Sequence, residues 1–220
     1  MDVTRRATAA CPRNQNPTEH GTIHTLTRLV IGDSVVFAST KSGPDAGPGL
    51  ALMLLRALAR LDTSWRLSYD ENDLTLHKSA LGEPCLLLGD KPGPSLSFSH
   101  DKGRLWAAMS SKGRVGIDVA YPEEFAAGYP FARAFRPEEL DSARALCHND
   151  TARGAALIWS AKEAAVKAIG AGFNRFDPLD VQVGAPVFRE QGILFKVLAD
   201  RPISAWARSK ESGWLCVALA

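Results

Sequence analysis

The stretch "SLSFSHDKGRLWAAMSSKGRVGIDVA", residues 95–120, constrains the fold most. Leu96 and Phe98 fall on one face of an extended segment and Ser95, Ser97 and Ser99 on the other. "DKG" then turns the chain into "RLWAAMSS", and "KG" turns it again into "RVGIDVA". Three antiparallel strands are expected, with one face apolar and one carrying hydroxyls. Upstream, "HTLTRLVIGDSVVFAS" also reads as strand, and the breaker cluster "TKSGPDAGPG" follows it. Leu50, Leu54, Leu58 and Leu61 recur at helical spacing, so an amphipathic helix over 50–61 with one buried face is expected.

The C-terminal part restarts with helix. In "FRPEELDSARAL", Pro137 suits a first turn, and Glu138 and Glu139 suit the positive end of the helix dipole. A second helix begins near Asp150 or Thr151, either of which can cap it, and stops at Gly170 and Gly172. "ILFKVLA", "ISAWARS" and "GWLCVALA" are short strands. Residues 1–21 are polar and irregular and are expected to form a loose tail. The order of elements predicts an α+β protein made of two similar halves, at 22–115 and 116–220. Each half is expected to carry a small antiparallel sheet and a packed long helix.

At 220 residues and 45% hydrophobic content, the chain can bury a real core. Its net charge of +2, from 26 basic and 24 acidic residues, does not suit a general nucleic-acid binder, although a local anionic ligand remains open. No apolar run approaches the roughly 20 residues needed to span a bilayer, and the first residues lack the apolar core of a signal peptide. A cytoplasmic protein without a membrane partner is expected. Cys11, Cys85, Cys147 and Cys216 are too scattered for a zinc or redox motif and are read as reduced structural thiols.

Chemistry concentrates in "IWSAKEAAVKAI", residues 158–169. Trp159, Glu163 and Lys167 share one stripe, while Leu157, Ala161, Ala164 and Ala168 form another. The alanine stripe is expected to pack. Lys162 flanks the charged stripe, so a carboxylate and two ammonium groups converge on one patch in this reading. Such a patch suits a magnesium-bound polyphosphate, the alternative being a surface Glu163–Lys167 pair. Asp118 interrupts a strand whose neighbours Val115, Ile117 and Val119 require burial, so a metal would offset the cost of its charge. The alternative is an aspartate at a solvated strand end. Ser99 and His100 close a strand at a hairpin, where both can reach a phosphate.

Taken in order, "SFSHDKG", "VGIDVA", "FRPEEL" and "WSAKEAAVKAIG" resemble the motifs of the 4′-phosphopantetheinyl transferase family, in its two-halved type that activates peptide and polyketide synthetases. The resemblance implies a pseudo-dimer of α+β halves with coenzyme A in the cleft between them. It implies Mg²⁺ held by Asp118 and Glu163. Lys167 and Lys162 would serve the diphosphate, Ser99 and His100 would hold coenzyme A phosphates, and Glu139, with Glu138 beside it, would be the base. The implied reaction moves the phosphopantetheine arm of coenzyme A to a serine of an apo acyl or peptidyl carrier protein, and a monomer is expected.

Several positions depart from the family pattern. Ala120 stands where a further acidic residue is usual, with Glu123 and Glu124 as nearby substitutes. Glu83 stands where a phosphate-binding lysine is usual, with Lys91 as the shifted alternative. The basic cluster before the first helix is reduced to Lys41. These departures keep open a rival reading, a binding protein without turnover. A third reading, another magnesium-dependent phosphotransferase or hydrolase, lacks a phosphate-cradling glycine loop.

Overall fold

The computed structural model describes residues 26–43, 45–62, 65, 73–80 and 82–220. The tail expected over 1–21, and Cys11 within it, lie outside the described residues.

The chain builds a mixed α+β fold. Strands β1 (Thr27–Ile31) and β2 (Ser34–Ser42) form a hairpin through Gly32. Helix α1 (Ala46–Ala59) follows, and β3 (Leu74–Lys78), β4 (Pro84–Leu88) and β5 (Lys91–Pro92) form a small three-stranded sheet. Strands β6 (Ser95–Asp101) and β7 (Arg104–Ser110) complete a four-stranded antiparallel sheet in the order β1-β2-β7-β6. Next come β8 (Val115–Ala120), α2 (Pro137–Leu146) and α3 (Thr151–Ile169). Strands β9 (Gln182–Val183), β10 (Val187–Arg189), β11 (Gly192–Leu198), β12 (Pro202–Lys210) and β13 (Gly213–Leu219) join β8 in a six-stranded sheet.

Two expectations need correction here. The "KG" segment does not close a hairpin: β8 pairs with β13, so the third strand of the expected meander crosses to the second sheet. The leucine helix starts at Ala46, inside the breaker cluster, because Pro48 falls in the first turn, where its missing N–H is no loss. It ends at Ala59, which leaves Leu61 beyond the helix and 54% exposed rather than on the buried stripe.

The layers follow from the strand alternation. Leu96, Leu105, Ala107 and Met109 turn to one side of the first sheet and meet Leu50, Leu54 and Leu58 of α1. Ala205, Ala207, Cys216 and Ala218 turn to one side of the second sheet and meet the alanine stripe of α3. The remaining faces pack on each other through Val36, Trp106, Val115, Ile117, Val119, Trp206 and Val217. The stacking order is therefore helix, sheet, sheet, helix.

Helix α3 carries the closest packing. Asp150 caps it by accepting from Arg153 N at 3.0 Å, and Gly170 ends it in the left-handed region with φ 76°. Leu157, Ala161, Ala164 and Ala168 are fully buried. Their small side chains let the helix approach β8 so closely that a methyl on Gly116 would overlap the carbonyl oxygen of Ala164.

Where the two sheets meet at β6 and β8, backbone pairing is replaced by side chains. Val115 N donates to Ser95 Oγ at 2.9 Å, Ile117 N donates to Ser97 Oγ at 3.2 Å, and Ser99 Oγ donates to Asp118 Oδ1 at 3.0 Å. The alternating hydroxyls of β6 thus stitch it to a strand of the other sheet. No helix among the described residues is long and apolar enough to cross a membrane.

Candidate active site

Asp118 sits in the centre of β8, on the face turned to α3, and is buried at 7% exposure. A carboxylate there needs donors, and it has them: Ser99 Oγ from β6 and Lys167 Nζ from α3, the latter at 2.7 Å. Lys167 also donates to the carbonyl of Ile117 at 3.2 Å and stands 3.9 Å from Glu163 Oε2. One ammonium therefore bridges two carboxylates supplied by residues 45 positions apart.

Burial pushes the Asp118 carboxyl above its usual range, and Lys167 and Ser99 counter only part of that. Glu163 is pushed up first by burial and then by the charge of Asp118, with Lys167 opposing. Their common contact with Lys167 places the two acids in one patch. Ionised, the trio carries one surplus negative charge in a half-buried place.

Glu163 and Lys167 line a cleft of about 220 Å³ with Ser97, Phe98, Glu83 and Gly172. His100 is exposed and lines a neighbouring groove of about 550 Å³ with Phe98, Lys78, Lys102 and the start of α1. Phe98 thus belongs to both spaces.

Lys162 does not join this cluster. One residue from Glu163 is a turn of about 100° around a helix, and that rotation carries Lys162 into the interior. It is wholly buried, 2.8 Å from Glu139, and donates to the carbonyls of Ala134 at 3.0 Å and Pro178 at 2.9 Å. Burial lowers its pKa, against the raising effect of Glu139. Glu139 is 5% exposed and accepts from Arg136 N at 3.1 Å and Val183 N at 2.6 Å, so both of its oxygens are engaged. It lines a different cavity, with Val183, Ala143 and Phe195, whereas Glu138 is exposed beside it.

The substitute residues take other positions. Glu124 accepts from Tyr121 N at 2.7 Å, and Glu123 pairs with Lys102 at 3.7 Å. Lys91 is exposed in β5 and lines neither the Glu163 cleft nor the His100 groove. Two side chains outside the sequence reading matter here. Arg114 pairs with Glu83 at the cleft edge and lies against Gly170, cancelling the reversed charge at position 83. Ser160 Oγ and Cys216 Sγ touch at 2.9 Å in the core of α3 and β13, and burial pushes the Cys216 thiol up.

The donors fit a small hard cation. Mg²⁺ is commonly held by one or two carboxylates together with phosphate oxygens and water, and the surplus negative charge of the trio asks for a further positive one. Among the described residues no group of three or more His, Cys, Asp and Glu is placed to hold a metal, so Asp118 and Glu163 would act without a third protein carboxylate.

Glu163 and Lys167 thus line the cleft, with the buried Asp118 behind Lys167. Residues 114–219 match the model of the 4′-phosphopantetheinyl transferase superfamily. Asp118, Glu163 and Lys167 all lie inside the matched segment. Fifteen chains of known structure also match. One is the Helicobacter pylori holo-[acyl-carrier-protein] synthase in complex with coenzyme A, at 19% identity and a TM-score of 0.37, covering 48% of this chain and 97% of that one. No curated protein matches the chain.

Proposed function

We propose that the protein moves the 4′-phosphopantetheine arm of coenzyme A to a serine hydroxyl of an apo acyl or peptidyl carrier protein, releasing 3′,5′-ADP. The observation that carries this reading is Lys167, which lines the cleft and pairs with both Asp118 and Glu163, all three inside the segment that matches the family. In this reading the chain is a two-halved transferase dividing near residue 115, with the cleft between β6 and the C-terminal end of α3. It acts as a monomer in the cytoplasm.

Asp118 and Glu163 would hold Mg²⁺, which, when bound, neutralises charge on the coenzyme A diphosphate. Lys167 supplies a fixed positive charge beside the same oxygens, and charge placed in advance where more will gather lowers the barrier. Ser99 fixes the Asp118 carboxylate, and His100 in the adjacent groove takes a phosphate of the nucleotide end. Arg114 replaces the missing lysine at position 83 by cancelling Glu83, so that the cleft edge does not repel an anion; Lys91 becomes unnecessary. Lys162 acts from inside, positioning Glu139 and the loops of Ala134 and Pro178. For Glu139 to take the serine proton, its contact with Lys162 must open. Glu139→Gln tests that role: lost transfer at unchanged stability supports a base, and equal losses of both support a structural pair.

The experiment is incubation of the protein with coenzyme A, Mg²⁺ and an apo carrier, followed by the mass of the carrier. Gain of one phosphopantetheine arm supports transfer. Binding of coenzyme A without gain would favour the second reading, a binding protein without turnover, to which Ala120 in the core contributes by leaving out a carboxylate. A panel of apo carriers identifies the partner.

A further inference from the structure

The turn between β3 and β4 supplies Gly82, Glu83 and Pro84 to the wall of the cleft that Glu163 and Lys167 line. Ser79 builds this turn: its hydroxyl accepts from Glu83 N at 3.1 Å and its carbonyl accepts from Gly82 N at 2.9 Å. Glu83 then pairs with Nη2 of Arg114, the residue that precedes β8. The same guanidinium lies against Gly170, where a side chain would overlap it. Arg114 is therefore held between Glu83 and Gly170, both of them residues of the cleft wall.

An anion entering this cleft meets Glu83, Glu163 and, behind them, Asp118, against the single ammonium of Lys167. It needs a further cation, and Arg114 is the one already at the wall. The Glu83 and Arg114 side chains are 36% and 46% exposed, so their attraction is screened by water and the pair opens at small cost. A guanidinium offers five donors in a planar fork, and among the described residues Glu83 is the one side-chain partner of this one. Two phosphate oxygens match such a fork in shape and charge.

We propose that Arg114 changes partner: a diphosphate in the cleft draws the guanidinium away from Glu83, and Arg114 becomes the second cation on the ligand beside Lys167. Glu83 is then a competing carboxylate that sets how tightly the cleft binds. The inference rests on the reading that the cleft takes the coenzyme A diphosphate, and it gives Arg114 a direct contact in place of mere charge cancellation.

The test is calorimetric titration of the full chain, in Mg²⁺, with coenzyme A and separately with inorganic pyrophosphate. Wild type, Glu83→Gln, Arg114→Gln and the double variant are compared. Glu83→Gln should bind about two- to fivefold tighter, because the competitor is gone. Arg114→Gln should bind about tenfold weaker or more. The double variant should remain at least about threefold weaker than wild type, since the contact with the ligand is lost whether or not Glu83 is charged. A double variant equal to wild type overturns the proposal, because it shows that Arg114 only cancels Glu83. Should that variant fail to fold, the Arg114 Nε–H resonance of the wild type, assigned by its loss in Arg114→Lys, decides: it must shift on saturation with pyrophosphate, and an unmoved resonance overturns the exchange. Pyrophosphate giving the expected order while coenzyme A does not bind supports the exchange and removes the coenzyme A reading. Binding of neither probe to wild type overturns both.

Discussion

Lys167 contacts two acids whose ionisation the protein interior resists, so its own charge and that of any added cation decide their state. Removing one acid should abolish chemistry while sparing the fold. Glu163→Ala should reduce carrier modification by about 100-fold or more, with little change in Tm, as read by carrier mass and thermal unfolding. The acidity of the pair gives a second expectation. Protons compete with metal for a carboxylate, and both folded-state pKa values are raised, so the competition begins at higher pH than for ordinary side chains. The Mg²⁺ concentration for half-maximal rate should climb as pH falls toward the upper edge of the usual carboxylate range. In the metal-free protein the sign for stability is opposite: with folded pKa values above the unfolded ones, this part of the stability is present at low pH and is lost as pH rises through the folded values. Urea unfolding with and without Mg²⁺ across pH separates the two effects. Ala120→Glu should lower the Mg²⁺ requirement if the added carboxylate reaches the ion.

Helix α3 shows how far an element can be read before its surroundings are known. Its start at Asp150, its stop at Gly170 and its alanine face follow from capping chemistry and the 3.6-residue period, and all are visible in the sequence. The same period places Lys162 and Glu163 side by side without saying which of them meets solvent. That depends on α2 and on the carbonyls of residues 134 and 178, which arrive from elsewhere in the chain. The crossing of β8 was hidden for the same reason. "KG" is a sound turn signal, but the partner of "RVGIDVA" is "GWLCVALA", a hundred residues later in round terms. Arg114 likewise gains meaning only through Glu83. The buried pair yields its own prediction. Lys162→Met should destabilise the protein by about 3–5 kcal/mol because the buried Glu139 loses its counter-charge, and Lys162→Met with Glu139→Leu should recover much of that in urea unfolding.

At the scale of the whole molecule, three serines do what a row of peptide groups does inside a sheet. Ser97→Ala should cost about 1–3 kcal/mol in chemical denaturation, since the buried N–H of Ile117 loses its acceptor. The alternation of serine with leucine and phenylalanine was plain in the sequence; that the serines face a second sheet was not, because a hydroxyl row looks the same toward water as toward another strand. Side-chain stitching also governs what happens if the chain is severed at 111–114, where it passes from one sheet to the other. Each piece would then display a raw margin, β6 on one and β8 on the other, with main-chain donors left open to any passing strand. The pieces should precipitate when expressed apart and regain solubility when produced together.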